Sequence, residues 1–264
     1  MGVVNATPDS FSDGGLAATS EAAIARGALL LAQGADLVDV GGESTRPGAT
    51  PVPEAEELAR VLPVVRALKG PRPISIDTYK ARVADEALAA GAGIVNDVSG
   101  GLLDPEILAV AARRGATIIL GHIRGTPATM RDEARYGDVV GEVRDELGAR
   151  IAAARTAGVA ADRIWIDPGL GFAKTAAQSL LVLANLDALR ALGCPIVVGA
   201  SRKSFLSAAS GRELSVDARE EATAAANALA IARGADVVRV HDVAAQLPAI
   251  RLAEAARAGS DRRA

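Results

Sequence analysis

The chain has 264 residues, 29 basic and 32 acidic side chains and a net charge of −3; 50% of it is apolar but only 2% aromatic. No basic excess or Lys/Arg run points to nucleic acid or an anionic membrane. No apolar run approaches the roughly 18 residues of a membrane span, and no basic segment followed by an apolar stretch reads as a secretory leader. The single cysteine, Cys194, cannot pair internally, which fits a reducing, cytoplasmic setting.

Branched apolar runs, each ending in a polar residue or glycine, recur along the chain. They are MGVVN (1–5), DLVDVGG (36–42), PISIDT (73–78), GIVNDVSG (93–100), TIILGH (117–122), RIWIDPG (163–169), PIVVGAS (195–201) and DVVRVHD (236–242). Nearly continuous Val, Ile and Leu is the pattern of strands buried on both faces. Between them, helical spacing covers 19–33, 53–68, 80–90, 105–114, 138–157, 178–192, 217–233 and 242–257. The endings LAQGAD, LAAGAG, ARRGAT and IARGAD place Gly34, Gly91, Gly115 and Gly234 just past a helix. Glycine adopts the left-handed, helix-ending conformation there at little steric cost.

Strict strand–helix alternation predicts an α/β protein with a parallel sheet. The count predicts a single (β/α)8 TIM barrel over 1–258, with a disordered tail at 259–264. A doubly wound open sheet is the alternative, but no GxGxxG follows the first strand.

Barrel sites lie at the C-terminal ends of the strands, and those ends are polar here. They carry Asn5, Gly41-Gly42-Glu43, Asp77, Asn96-Asp97, His122, Asp167, Ser201-Arg202-Lys203, and Arg239 with His241. Any one of these could simply be a wet strand end. Asp77 and Asp167, however, follow branched apolar residues, where a carboxylate is costly unless paired. Two carboxylates, the Asn96 amide and Lys203 together suit a flat heterocycle with alternating donors and acceptors. Arg46, Arg239 and His241 form a second, anion-binding set, although each arginine alone could belong to a structural salt bridge. SRKSFL (201–206) follows a strand and opens a helix, whose N-terminus attracts carboxylate or phosphate. Capping alone would also explain its serines. Phe11, Phe172 and Phe205, the entire phenylalanine inventory, each adjoin a polar rim motif, which suggests stacking on a flat ligand.

The ordered set NATPDSFSDGG, VGGESTRPGA, SIDTYK, VNDVSGG, DPGLGFAKT, GASRKSF and RVHDV resembles the dihydropteroate synthase family from Met1 to about Val243. The resemblance implies a pterin-binding TIM barrel and a transferase of folate biosynthesis. It would condense 6-hydroxymethyl-7,8-dihydropterin diphosphate with p-aminobenzoate, giving 7,8-dihydropteroate and diphosphate. It further implies Mg2+ as cofactor, sulfonamides as competitors of p-aminobenzoate, and a homodimer with small-molecule substrates only.

Carried over by position, Asp77, Asn96, Asp167 and Lys203 would hold the pterin, with Arg239 stacked beside it. Arg46, Arg239 and His241 would contact the diphosphate, and Asn5 would sit by the diphosphate and its Mg2+. Phe172, Lys203 and Ser204 would line the p-aminobenzoate site. Thr45 and Arg46 belong to a second mobile loop, Phe11 and Asp13 to a first. That first loop reads as a lid, with Gly14 and Gly15 letting it close and Asp13 steadying a pterin methylene cation.

Ala6 and Ile123 depart from the larger aliphatic and the Met usual at those places, which should alter packing more than chemistry. Family members usually carry residues before the first strand; their lack here is expected to leave the barrel floor open, so an added extension should raise the melting temperature. The rival readings are a pterin-dependent corrinoid methyltransferase, a non-catalytic pterin-binding homologue, and a barrel aldolase or isomerase.

Overall fold

The computed structural model describes residues 1–7, 15–46, 48–215 and 218–261, with side chains described from residue 20 in the first helix and up to residue 259 in the last. Parallel strands β1 (Gly2–Asn5), β2 (Val38–Gly41), β3 (Ile74–Asp77), β4 (Ile94–Asp97), β5 (Thr117–Gly121) and β6 (Ile164–Asp167) pair in sequence order. Strands β7 (Val197–Val198) and β8 (Val237–Val238) pair with each other. Bridges Ile166–Ile196 and Gly2–Val240 join this pair to both edges. Val3 N–H donates to Val240 O at 2.9 Å and Val240 N–H to Met1 O at 3.0 Å, so the sheet closes into the expected barrel.

The last two strands are shorter than the apolar runs suggest. Asp236 and Val237 both donate to Ile196 O, which breaks the regular ladder, and Pro195 has no N–H to contribute.

Helices α1 (Gly15–Ala32), α2 (Glu54–Leu68), α3 (Ala81–Ala90), α4 (Glu106–Arg114), α5 (Val139–Thr156) and α6 (Ala176–Ala184) follow the first six strands. The helix expected over 178–192 is interrupted at Asn185 and continues as a 3-10 segment, Leu186–Leu192. A five-residue helix, α7 (Phe205–Ala209), precedes α8 (Ala218–Ala232). Helix α9 spans Val243–Asp261, so residues 259–261 of the expected tail are helical. Residues 262–264 lie outside the described ones. No helix of the described residues is long and apolar enough to cross a membrane.

Side chains alternate along a strand, and the alternation sorts this barrel radially. Val38, Val40, Ile74, Ile76, Val95, Ile118, Leu120, Ile164 and Ile166 belong to the main apolar cluster with the helices. The intervening positions face the barrel interior. Near the strand starts they are apolar: Met1, Leu37, Ile94, Ile119 and Val197 cluster with Trp165 and Val237. Further along the same strands they become Asp39, Ser75, Asp77, Asn96, Asp167 and Arg239. The interior is thus plugged by hydrocarbon at one end and charged at the other.

Candidate active site

Backbone pairing sets the first row of the site. Asn5 pairs with Gly41, Gly41 with Asp77, and Asp77 with Asn96. Three side chains from three strands therefore stand at one height around the C-terminal mouth. Gly41 keeps the row open, since a Cβ there would lie 3.4 Å from that of Asp77.

Arg239, at the end of β8, organises the centre. Its Nε donates to Asp39 Oδ2 at 2.6 Å and its Nη2 to Asp77 Oδ2 at 2.6 Å. Asn96 Nδ2 donates to the same Asp39 oxygen at 2.9 Å. This bond uses one of the two amide N–H donors and turns the nitrogen toward Asp39, leaving the Asn96 oxygen as an acceptor for the cavity. Asp39 is fully buried and was not singled out from the sequence. Its signal was its place in DLVDVGG, two residues before Gly41 and on the same strand face.

The opposite wall comes from the turn after β6 and from Lys203. Asp167 Oδ1 accepts Gly169 N–H at 2.7 Å. Lys203 Nζ donates to Leu170 O at 2.6 Å and lies 4.5 Å from the Phe172 ring centre. Arg202, just before it, has a left-handed φ of 60°. That conformation is secured by Arg202 N–H to Thr223 Oγ1 at 3.2 Å and by Arg219 donating to Arg202 O at 3.1 Å. Gly199 forms open floor, since a Cβ there would lie 3.8 Å from Lys203 Nζ and 3.9 Å from Arg239 Cβ.

Burial dominates the electrostatics. It pushes the Asp77 carboxyl up to about 7 against the opposing pull of Arg239, and it raises Asp167 despite Lys203. It brings Lys203 down to about 8, with Asp167 pulling the other way. Burial also works to lower Arg239, but Asp39 and Asp77 outweigh it and keep the guanidinium charged. Burial, then Arg239, Arg202, Arg46 and Lys203, depress His241 to about 3. These charges all oppose protonation of His241, a local bias that suits an anion, with Arg202 itself paired to Glu220 and Arg239 to Asp39 and Asp77. His241 Nδ1 is 2.9 Å from Ser201 Oγ, which also accepts the His241 backbone N–H at 3.2 Å. With Nδ1 as acceptor, Nε2–H remains a free donor.

The structure thus unites Asp77, Asn96, Asp167, Lys203, Arg239 and His241 at one mouth, with Asn5 on the row beside them. Thr45 is half-buried and Arg46 exposed on the loop after β2. That loop is closed at its neck. Glu43 Oε2 accepts Val52 N–H at 2.8 Å, and Lys80 Nζ bonds Glu43, Glu57 and Val52 O. Phe11 and Asp13 lie outside the described residues.

SRKSFL opens a helix as expected, the five-residue α7, with the exposed Ser204 at its N-cap. Three other expectations change. Phe205 is 3% exposed within the core and cannot stack on a ligand. His122 is fully buried and bonded to Glu146 and Lys174 rather than facing the cavity. Asp97 likewise serves its own turn, accepting from Ser99 and Gly101.

A closed barrel whose charged mouth combines a donor–acceptor wall with a cationic rim defines a class that the comparisons name. The family described as "Pterin binding enzyme" matches residues 1–241. The chain is 49% identical to the dihydropteroate synthase of Synechocystis sp. over 260 residues, 97% of this chain and 89% of that one. The solved Xanthomonas albilineans dihydropteroate synthase with 4-aminobenzoic acid superposes with a TM-score of 0.90 at 47% identity, covering 98% of this chain and 92% of that one. The Yersinia pestis enzyme with a sulfonamide drug complex gives a TM-score of 0.90 at 38% identity, covering 98% and 94%. The chain belongs to the dihydropteroate synthase family of pterin-binding enzymes.

Proposed function

We propose that the chain condenses 6-hydroxymethyl-7,8-dihydropterin diphosphate with p-aminobenzoate to give 7,8-dihydropteroate and diphosphate. The observation that carries this reading is the Asp77–Asn96–Asp167–Lys203 wall beside Arg239 and the cation-ringed His241. The wall presents three acceptors and one ammonium, which suits the amino and ring N–H edge of a pterin together with one acceptor. Arg239, His241 and Arg46 suit the diphosphate, and Phe172, Lys203 and Ser204 the p-aminobenzoate. Support also comes from relatives: the Xanthomonas albilineans enzyme has been solved with 4-aminobenzoic acid and with 7,8-dihydropteroate.

In the reaction the pterin methylene carbon loses its bond to the diphosphate oxygen, and the electron pair leaves with diphosphate. The arylamine nitrogen forms the new bond and gives up one proton. An arylamine is a sufficient nucleophile, so no strong general base is assigned. The positive rim stabilises the departing charge. Phe11 and Asp13 are proposed to act on the lid.

Mg2+ fits the donor set. Among the described residues no group of three acidic, histidine or cysteine side chains could hold a metal. Asn5 offers a neutral oxygen at the mouth, which suits an ion that keeps water and phosphate oxygens as most of its ligands. Bound there, Mg2+ would neutralise diphosphate charge.

A homodimer is proposed too, as the family resemblance implies. A cytoplasmic setting is supported by the unpaired, buried Cys194.

The test is diphosphate release from the purified chain. Release that requires both p-aminobenzoate and Mg2+, and that chelation abolishes, is expected. Pterin binding without release would make the chain a non-catalytic homologue, and indifference to pterins would overturn the reading.

A further inference from the structure

The DPGLGFAKT turn contains a buried ammonium that the proposed reaction leaves without a role. Lys174 is 8% exposed. Its Nζ lies 2.9 Å from His122 Nδ1, 3.1 Å from Gly169 O and 3.1 Å from Phe172 O. Burial pulls the Lys174 amine down to about 7 against the opposing pull of Asp167; in its ammonium form it has three N–H donors, and these contacts use all three. Nothing on Lys174 remains for a substrate.

The neighbouring imidazole explains how the arrangement holds. His122 Nε2 is 3.0 Å from Glu146 Oε2, an acceptor only, so Nε2 carries the hydrogen and Nδ1 presents its lone pair to Lys174. The turn itself is folded tightly enough for the lysine to reach back beneath it. Ala173 takes a left-handed φ of 47°, between Phe172 and Lys174. Successive carbonyls then divide between two lysines. Gly169 O and Phe172 O face Lys174, whereas Leu170 O accepts from Lys203 at 2.6 Å. The Phe172 ring rests on Ile123, Met130 and Ala173 and lies beneath Lys203 Nζ.

We propose that Lys174 is a positioning residue for the p-aminobenzoate half of the site. Held by His122, it fixes the Gly169–Phe172 turn, and through that turn it sets the Phe172 ring and the Leu170 carbonyl that orients Lys203. Of the pterin wall, Asp77, Asn96 and Arg239 stand on other strands, whereas Asp167, which accepts Gly169 N–H, and Lys203 adjoin the turn. The inference rests on the reading of the pocket given under Proposed function.

The experiment compares steady-state kinetics of the full chain with those of Lys174→Met and Lys174→Gln, both substrates being varied. In Lys174→Met the KM for p-aminobenzoate rises about tenfold or more, and that for the pterin diphosphate rises distinctly less, because Asp77, Asn96 and Arg239 keep their places. Lys174→Gln supplies an amide donor one bond short of Nζ and recovers part of the loss. A merely structural lysine would lower the melting temperature without dividing the two KM values. Equal changes in both, no change in either, or failure of both variants to fold would overturn the proposal. The unsubstituted chain is assayed first. No turnover there would defeat the functional reading itself, whereas turnover with no division between the substrates defeats only the role of Lys174.

Discussion

Single residues here do two jobs that their types alone do not distinguish. Asp39 and Asp77 are both interior carboxylates bonded to Arg239, yet only Asp77 stands at the mouth. Asp39 lies one interior position deeper and sets the orientation of both Asn96 and Arg239. In Asp39→Asn the amide oxygen can still accept from both donors, as Oδ2 does, but it lacks the negative charge that pairs with the Arg239 guanidinium. Pterin affinity should fall about tenfold or more, read by calorimetry; an unaltered Kd would show that Asp39 does not orient the wall. His122 offers a pH test. Burial takes its pKa from 6.5 down to about 4, so between these values the unfolded chain binds a proton that the folded chain does not. Its contribution to stability is complete above about pH 6.5 and is lost as pH falls toward 4. His122→Gln lacks this titration, so its stability deficit against the parent should narrow by about 1.4 kcal/mol per pH unit below about pH 6. The raised Asp77 acts in the opposite sense, but it does so in both proteins and cancels in the difference. A deficit that stays constant in urea titrations from about pH 7.5 to 4.5 would mean that His122 is not buried in its neutral form.

At the level of elements, the turn after β6 holds the most stringent geometry. Gly169 has a φ of 65°, and an ideal Cβ there would lie 2.0 Å from the His122 carbonyl oxygen. That oxygen belongs to the neighbouring strand end and cannot swing away as a flexible side chain would. Gly169→Ala should therefore lower stability by about 2–3 kcal/mol or more, measured by thermal unfolding. An unchanged midpoint would mean that the turn does not pack against β5 in this way. Element boundaries were legible where local chemistry speaks plainly. Gly91 and Gly115 end α3 and α4 with positive φ, as their motifs indicate. After β7 the sequence showed that SRKSFL opens a helix, but not that it lasts only five residues. Nor did it show the left-handed backbone of Arg202, which Arg219 and Thr223 of α8 hold.

Across the whole molecule, the strands and helices were legible because apolar periodicity and helix-ending glycines are local properties of the chain. The ordered motifs further carried the family and, with it, Asp77, Asn96, Asp167, Lys203, Arg239 and His241 as site candidates. Other features required the closed barrel. Strand register decides that Asn5, Asp77 and Asn96 share one height, and closure brings Arg239 to Asp39, 200 positions away in the chain. Inward or outward direction separates Asn96 from Asp97 and turns His122 from the cavity toward Glu146 and Lys174, although all of these end polar strands. Sequence alone determined which residue types stand at the ends of the strands, because hydrophobic periodicity acts over a few residues. Only the tertiary structure decided which of them meet and which are buried among partners. Burial and pairing depend on neighbours remote in the chain, and those two quantities set charge state and chemistry.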